Sequence, residues 1–296
     1  MTDTPRRLDL ALIGLHPELS RRQAQAAIEK GQVSIDGRVS REPGERVTEG
    51  ADVRWDRNRK ATPKTRISLP LLYADEDLVI VDKPAGLLSV PTSPDARNED
   101  TAIARVLDYA RHRQPHRPFA GAVHRLDRDT SGALAFALNA QTRSALRDLF
   151  SAHQIERRYA AIVIGSPRAD KGTIDAPIHD EYQGGRRRIA RPGEPSREAV
   201  TRFQVLERLP GAALLEVELE TGRQHQIRLH LAHVGLPVLG DPVYGRPGHR
   251  TAPAPRQMLH ARTLAFSHPR TGAAVRVESP LPPDFREALK RLRRLG

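Results

Sequence analysis

Between Gly121 and Leu138 the chain reads GAVHRLDRDTSGALAFAL, with His124, Arg125, Asp127 and Arg128 set between apolar runs. Charges carried toward a core are costly unless they are paired, so paired charges in such a setting mark a candidate site. A carboxylate buried beside an arginine stays ionised at neutral pH and can act as a nucleophile or base. Asp127 and Asp129 both fit that description, and residue types alone do not choose between them. An exposed hairpin end with solvated ion pairs is the competing reading. Other chemistries are excluded more firmly: with no cysteine there is no thiolate nucleophile, disulfide or cysteine-zinc site. No glycine-rich phosphate loop, dinucleotide fingerprint or Gly-x-Ser-x-Gly elbow occurs. His225, His230 and His233 invite a metal, but they spread around a predicted helix and no carboxylate completes a zinc pattern, so no metal is expected. Carboxylate, arginine and tyrosine chemistry remains.

The elements that would position this corner follow from periodicity. Ala122, Val123 and Leu126, then Ala133, Leu134, Phe136 and Leu138, suit buried strands, with Thr130, Ser131 and Gly132 as the turn between them. Asn139 caps a predicted helix over 140–153, and a strand over 158–164 puts Tyr159, Ala161 and Val163 on one face. Strands are also expected on both sides of Asp75-Glu-Asp77, over 199–207 and 214–220, and twice within 256–280. Helices are expected over 100–113 and 285–295, and over 224–233 with Ile227, Leu231 and Val234 inward and Gln224 and Arg228 neighbours on its flank.

The first 56 residues form a smaller pattern, helices and then short strands, with Ser20 as N-cap of a helix over 21–30 that Gly31 ends. Residues 57–67 are basic and lack apolar period, which reads as a linker. A dimerisation or capping module is the plain reading of the small unit.

At 296 residues, 38% of them hydrophobic, the chain can fill one large domain and one small one. No run of about 18 apolar residues occurs and the start MTDTPRRLDL has no signal-peptide core, so a cytoplasmic protein off the membrane is expected. Lys and Arg number 48 against 36 Asp and Glu, a net charge of +12 dominated by arginine, which favours a polyanion and above all nucleic acid. The loop QGGRRRIARPG groups Arg186, Arg187, Arg188 and Arg191 as candidate phosphate contacts. Aromatic residues at 4% argue against a surface built on stacking single-stranded bases.

Two resemblances extend this reading. RLDLALIGLHPELSRRQAQAAIEKGQVSIDGRV, ending near GADVRW, resembles the S-four RNA-binding domain, which implies that Ser20, Arg21, Arg22 and Gln25 face RNA. EDLVIVDKPAGL, HRLDRDTSG, RRYAAIV and TGRQHQIRLHLAHVGLPVLGDPVYG, in that order, resemble the RluA-type pseudouridine synthases. That resemblance implies an α+β catalytic domain over 68–296 with a mixed, mainly antiparallel sheet, behind a small N-terminal α/β RNA-binding domain. It implies isomerisation of uridine in RNA without metal or cofactor. Asp127 would be the catalytic aspartate, Arg228 its partner, Tyr159 the ring on the target base, and Arg125 the filler of the space left by the flipped nucleotide. Large-subunit ribosomal RNA is the expected substrate and a monomer the expected state. The alternatives are a transfer RNA pseudouridine synthase, a non-catalytic ribosome-assembly factor, and a glycoside hydrolase or nucleosidase using Asp127 with Asp129. Carboxylates two residues apart are poorly placed to flank a bond from both sides.

Overall fold

The computed structural model describes residues 6–40, 43–48, 50–59, 69–93, 95–96, 99–114, 116–182, 184–245 and 254–295, and the chain divides into two compact units between Ser68 and Leu69. Most of the linker expected over 57–67, together with Gln183 of the arginine loop, lies outside the described residues.

In the N-terminal unit, helices Leu8–Leu15 and Arg21–Glu29 pack Leu8, Leu12, Ala24 and Ile28 onto the sheet formed by Val33–Ile35, Arg38–Ser40 and Val53–Trp55. Ser20 closes a capping box: its hydroxyl accepts from Gln23 N at 3.3 Å, and its own N–H donates to Gln23 Oε1 at 2.9 Å. Asp9, whose side chain is fully buried, accepts from Arg7 and Gln25 and lies 3.4 Å from Arg21 Nε. Burial works against the Asp9 carboxylate, but the Arg7 hydrogen bond outweighs it and holds the group well below the usual carboxylate range.

The larger unit is built on a ten-stranded mixed sheet. Its main path runs Lys171–Asp175, Val200–Leu209, Ala212–Leu219, Glu156–Ile164, Leu259–Ser267, Ser131–Ala137, Leu78–Lys83 and Leu71–Ala74. Every named pairing is antiparallel except that of Leu259–Ser267 with Ser131–Ala137. Strand Glu156–Ile164 is buried on both faces as its alternation requires. Tyr159, Ala161 and Val163 join the core beneath helices Ala102–Arg113 and Gln226–His233, while Ala160, Ile162 and Ile164 meet the C-terminal helix Pro283–Arg293. A third cluster packs Leu146 of helix Ala140–Ser151 against Ile80, Ala133 and Ala135.

Two local expectations fail for physical reasons. Ser131 and Gly132 belong to the strand, not to the turn before it. Gly132 has φ 115°, and a Cβ there would lie 2.1 Å from the Ala261 carbonyl oxygen, so the parallel crossing requires glycine. Val234, expected to be inward, is 44% exposed because the helix ends before it; Gly235 turns the chain back with φ 82° and Leu236 is buried in its place.

Candidate active site

The segment carrying Asp127 leaves the sheet after Ala122 and returns at Ser131, and the side chains of Ser89, Lys83, Gln257 and Arg256 hold it between. Ser89 both accepts from Leu126 N at 3.0 Å and donates to Leu126 O at 2.7 Å. Lys83, with no exposed surface, donates to the carbonyls of Pro84, Leu87 and Arg128 at 2.8–2.9 Å. Burial pushes its amine down to about 7, against the pull of Asp129 and Asp127. Gln257 donates to Thr130 Oγ1, and buried Arg256 donates to the Asp129 carbonyl and Ser131 Oγ while pairing with Asp284. These tethers satisfy polar groups of a partly buried loop, where a missing partner is costly.

So held, Asp127 meets Arg228, 101 residues later: Arg228 Nη1 donates to Asp127 Oδ2 at 2.9 Å. The other edge of the guanidinium forms a bidentate pair with Asp241, Nε to Oδ2 at 2.7 Å and Nη2 to Oδ1 at 2.8 Å. Asp241, its side chain fully buried, also accepts from Val243 N and Tyr244 N. Burial opposes charge on both residues, but mutual attraction wins: Arg228 is held above the ordinary arginine value and Asp241 below the ordinary carboxylate value. Asp127 is the more open end of this chain, with 20% of its side chain exposed against 5% for Arg228.

Arg228 therefore sits deeper than the flank position expected for it. The helix begins at Gln226, so Gln224 is not on it; the preceding TGRQH segment is a turn. Buried Gln226 builds that turn by accepting from Thr221 Oγ1 and Arg223 N while donating to Val200 O and Thr201 Oγ1. His225 heads the helix in the left-handed region, φ 60°.

Asp127, Tyr159, Arg125, Arg228 and His225 line one cavity of about 490 Å³. Tyr159 enters it from a strand whose register slips between Arg158, opposite Thr263, and Tyr159, opposite Ala261; such a bulge re-aims a side chain. Burial pushes the Tyr159 phenol up, which favours its protonated form. Arg125 is exposed, and no carboxylate pairs with it among the described residues. Arg157, also lining the cavity, is a buried guanidinium that donates to the carbonyls of Leu219 and Glu220 and has no carboxylate partner among the described residues. Asp129 is not among the lining residues, which removes the paired-carboxylate arrangement.

A second cavity of about 330 Å³ shares Gly222, Arg223 and Gln224 with the first and adds His179, Arg187 and Arg197. The four loop arginines divide here. Arg187 turns inward, donating to Asp180 O at 2.5 Å and Gln224 Oε1 at 3.2 Å, and Arg188 pairs with Glu194. Arg186 and Arg191 remain exposed. In the N-terminal unit Ser20 is committed to its cap and Arg21 and Gln25 to Asp9, which leaves Arg22 exposed with no partner among the described residues.

The histidines do not converge. His230 is buried against Ala176 O, His233 is exposed, and His124 accepts from Ala135 N at 3.0 Å and stacks on Phe150. Burial and nearby Arg157 push His124 down to about 3, so it is a neutral packing residue. Among the described residues Asp75, Asp77 and His268 form a group with metal-ligand geometry. There His268 Nδ1 accepts from the N–H groups of Arg270 and Thr271, which puts its proton on Nε2, facing Asp75 at 3.0 Å. Arg270 pairs with Asp77, so both carboxylates of the cluster already face donors of the protein itself.

With this geometry established, comparison with known proteins is decisive. The RNA pseudouridylate synthase model matches residues 77–233, and the S4 domain model matches residues 6–53. The chain belongs to the RNA pseudouridylate synthase family. It is 38% identical to ribosomal large subunit pseudouridine synthase D of Pseudomonas aeruginosa, across 97% of this chain and 92% of the relative. The same-named protein of Xanthomonas campestris is 37% identical, across 97% and 89%. Among solved structures, human RNA pseudouridylate synthase domain containing 4 superposes with a TM-score of 0.62 at 26% identity, covering 75% of this chain and 92% of that one. The protein is an RNA pseudouridine synthase, an isomerase whose partner is RNA, with an S4 domain ahead of the catalytic unit.

Proposed function

We propose that this synthase isomerises uridine in large-subunit ribosomal RNA, with Asp127 as the reacting carboxylate. The observation that carries the assignment of Asp127 is its chain of contacts: the carboxylate at the open end of Asp127–Arg228–Asp241, aimed into a cavity that Tyr159 closes from one side. The names of the relatives from Pseudomonas and Xanthomonas support the ribosomal substrate.

Chemically, the C1′–N1 bond must break, the uracil must turn, and C5 must bond to C1′ with loss of the C5 proton and gain of one at N1. Atoms and charge balance without a co-reactant. The target base first leaves its stack at a cost of roughly a few kcal/mol. Arg125, exposed and without a carboxylate partner among the described residues, is the proposed filler of the vacated space. Arg228 fixes the rotamer of Asp127 and balances its charge while Asp127 either adds to the uracil ring or assists departure from the sugar. Burial favours the protonated Tyr159 phenol, and enclosing the base is the role assigned to that ring. Arg22 of the S4 unit, Arg186 and Arg191 of the loop, and Arg187, Arg197 and Arg223 of the second cavity are the proposed phosphate contacts.

Asp127→Asn tests the reading. The variant should bind RNA like the wild type and form no pseudouridine; turnover near the wild-type rate would remove Asp127 from the mechanism. Pseudouridine mapping of total RNA with and without the protein tests the substrate. A site lost from transfer RNA, with large-subunit ribosomal RNA unchanged, would reassign it.

A further inference from the structure

His225 is a polar group of the cavity that this mechanism leaves without a task. Its left-handed backbone, φ 60° and ψ 13°, is uncommon for a residue with a side chain, and such conformations collect at functional sites. One ring nitrogen, Nδ1, lies 3.1 Å from the Tyr244 hydroxyl; the other, Nε2, lies 3.9 Å from Asp127 Oδ1. The Tyr244 hydroxyl already accepts the Arg187 backbone N–H at 2.7 Å. Nδ1 is the one acceptor within reach of that hydroxyl's proton among the described residues. An imidazole that accepts at Nδ1 carries its proton on Nε2. Burial favours this neutral form. At 3.9 Å, Nε2 is too far from Asp127 for a hydrogen bond. In this tautomer Nε2–H is an N–H donor facing the cavity beside Asp127, with no hydrogen-bond acceptor among the described residues.

We propose that His225 Nε2–H donates a hydrogen bond to a carbonyl oxygen of the flipped uracil and stabilises the negative charge that the ring acquires during isomerisation. If the C1′–N1 bond breaks with its electron pair moving to the ring, that pair spreads over N1 and the carbonyl oxygens. If Asp127 adds to C6 instead, the pair from the C5–C6 bond reaches the C4 oxygen. His225 keeps its proton on either route. A donor aimed in advance at developing charge contributes on the order of 10²–10³ in rate. The proposal rests on Asp127 being the reacting carboxylate.

Long-range proton–nitrogen spectra of the full-length labelled protein at neutral pH, without RNA, should show His225 neutral and protonated at Nε2; protonation at Nδ1 would overturn the proposal. Single-turnover rates follow, using whichever unmodified large-subunit ribosomal or transfer RNA transcript the wild type converts. His225→Phe should be about 100-fold slower with unchanged RNA affinity, and His225→Gln, which returns an N–H near Nε2, should recover to within about 10-fold of wild type. A wild-type rate for His225→Phe, equal losses in both variants, or a loss that follows RNA affinity would refute the role. Tyr244→Phe, which frees the tautomer, should fall between wild type and His225→Phe. Should His225→Phe not fold, a wild-type rate for Tyr244→Phe refutes the proposal. Asp127→Asn run beside them separates the two assignments, because its turnover would fail the premise and leave the tautomer measurement standing.

Discussion

Asp241→Asn tests whether the buried carboxylate behind Arg228 organises the site. Asparagine keeps the shape of Asp241, and its Oδ1 can still accept from Val243 N and Tyr244 N. Its amide nitrogen, however, now faces Arg228 Nε, so donor meets donor where an ion pair stood at 2.7 Å. Removing one partner of a buried pair costs about 3–5 kcal/mol. Asp127 still neutralises one edge of the guanidinium and is partly open to water, so the lower figure, about 3 kcal/mol, applies. For a unit of this size each kcal/mol lowers Tm by about 2–4 °C, which gives a fall of about 6–12 °C. Arg228, no longer pinned, also stops orienting Asp127, and a misplacement of about 1 Å costs on the order of 10² in rate. Trp55, the single tryptophan, lies in the N-terminal unit, so circular dichroism is the readout for unfolding, alongside single-turnover pseudouridine formation. A Tm within about 2 °C of wild type together with an unchanged rate would refute the reasoning.

Other expectations follow from the same contacts. Lys83→Met strips the donor from three carbonyls and should cost about 2–4 kcal/mol, with faster hydrogen exchange at the Thr130 amide and slower isomerisation; protection equal to wild type would show that the loop needs no such tether. Gly132→Ala drives a methyl into the Ala261 backbone and should cost more than about 4 kcal/mol, read as lost soluble yield; a soluble variant of wild-type stability would contradict the crossing geometry. His124 is neutral in the fold down to about 3, whereas unfolded histidine titrates near 6.5. The unfolded state therefore binds the extra proton, and stability fully present above about pH 6.5 is lost toward pH 3 at up to about 1.4 kcal/mol per unit. His124→Gln should flatten that part of the denaturation profile, and an unchanged slope would exclude His124 as the source.

Much of the fold was legible because its periodicities are local. The alternation in RRYAAIV placed Tyr159 with Ala161 and Val163, and the structure buries those three in one cluster and Ala160 with Ile162 in another. Asn139 does cap the helix Ala140–Ser151, accepting from Thr142 N. The turn at His225 was not legible: QHQIRLHLAH reads as unbroken helix until buried Gln226 meets partners at Val200 and Thr201, some 25 residues earlier. Nor was Asp241, since a lone Asp between Gly240 and Pro242 looks like turn chemistry until Arg228 is set against it. A buried lysine has the same character, because Lys83 shows its three acceptors only once residues 84–87 and 128 meet.

By itself, the sequence determined the chemical inventory and most of the secondary structure. It excluded thiol chemistry, supplied an arginine-rich chain suited to RNA, and set Asp127, Tyr159 and Arg228 in segments whose order matches the family. Tertiary structure decided which charges are neutralised and which are left to act. Arg188 pairs with Glu194 while Arg186 has no ion-pair partner among the described residues; Arg21 is bound to Asp9 while Arg22 has none among them; and Arg228 is shared between a sealed carboxylate and an open one. The physical reason is range: helix and strand patterns arise from neighbours a few residues apart, whereas an ion pair depends on a few ångströms between groups as far apart in sequence as Arg228 and Asp127, 101 residues, or Arg270 and Asp77, 193 residues.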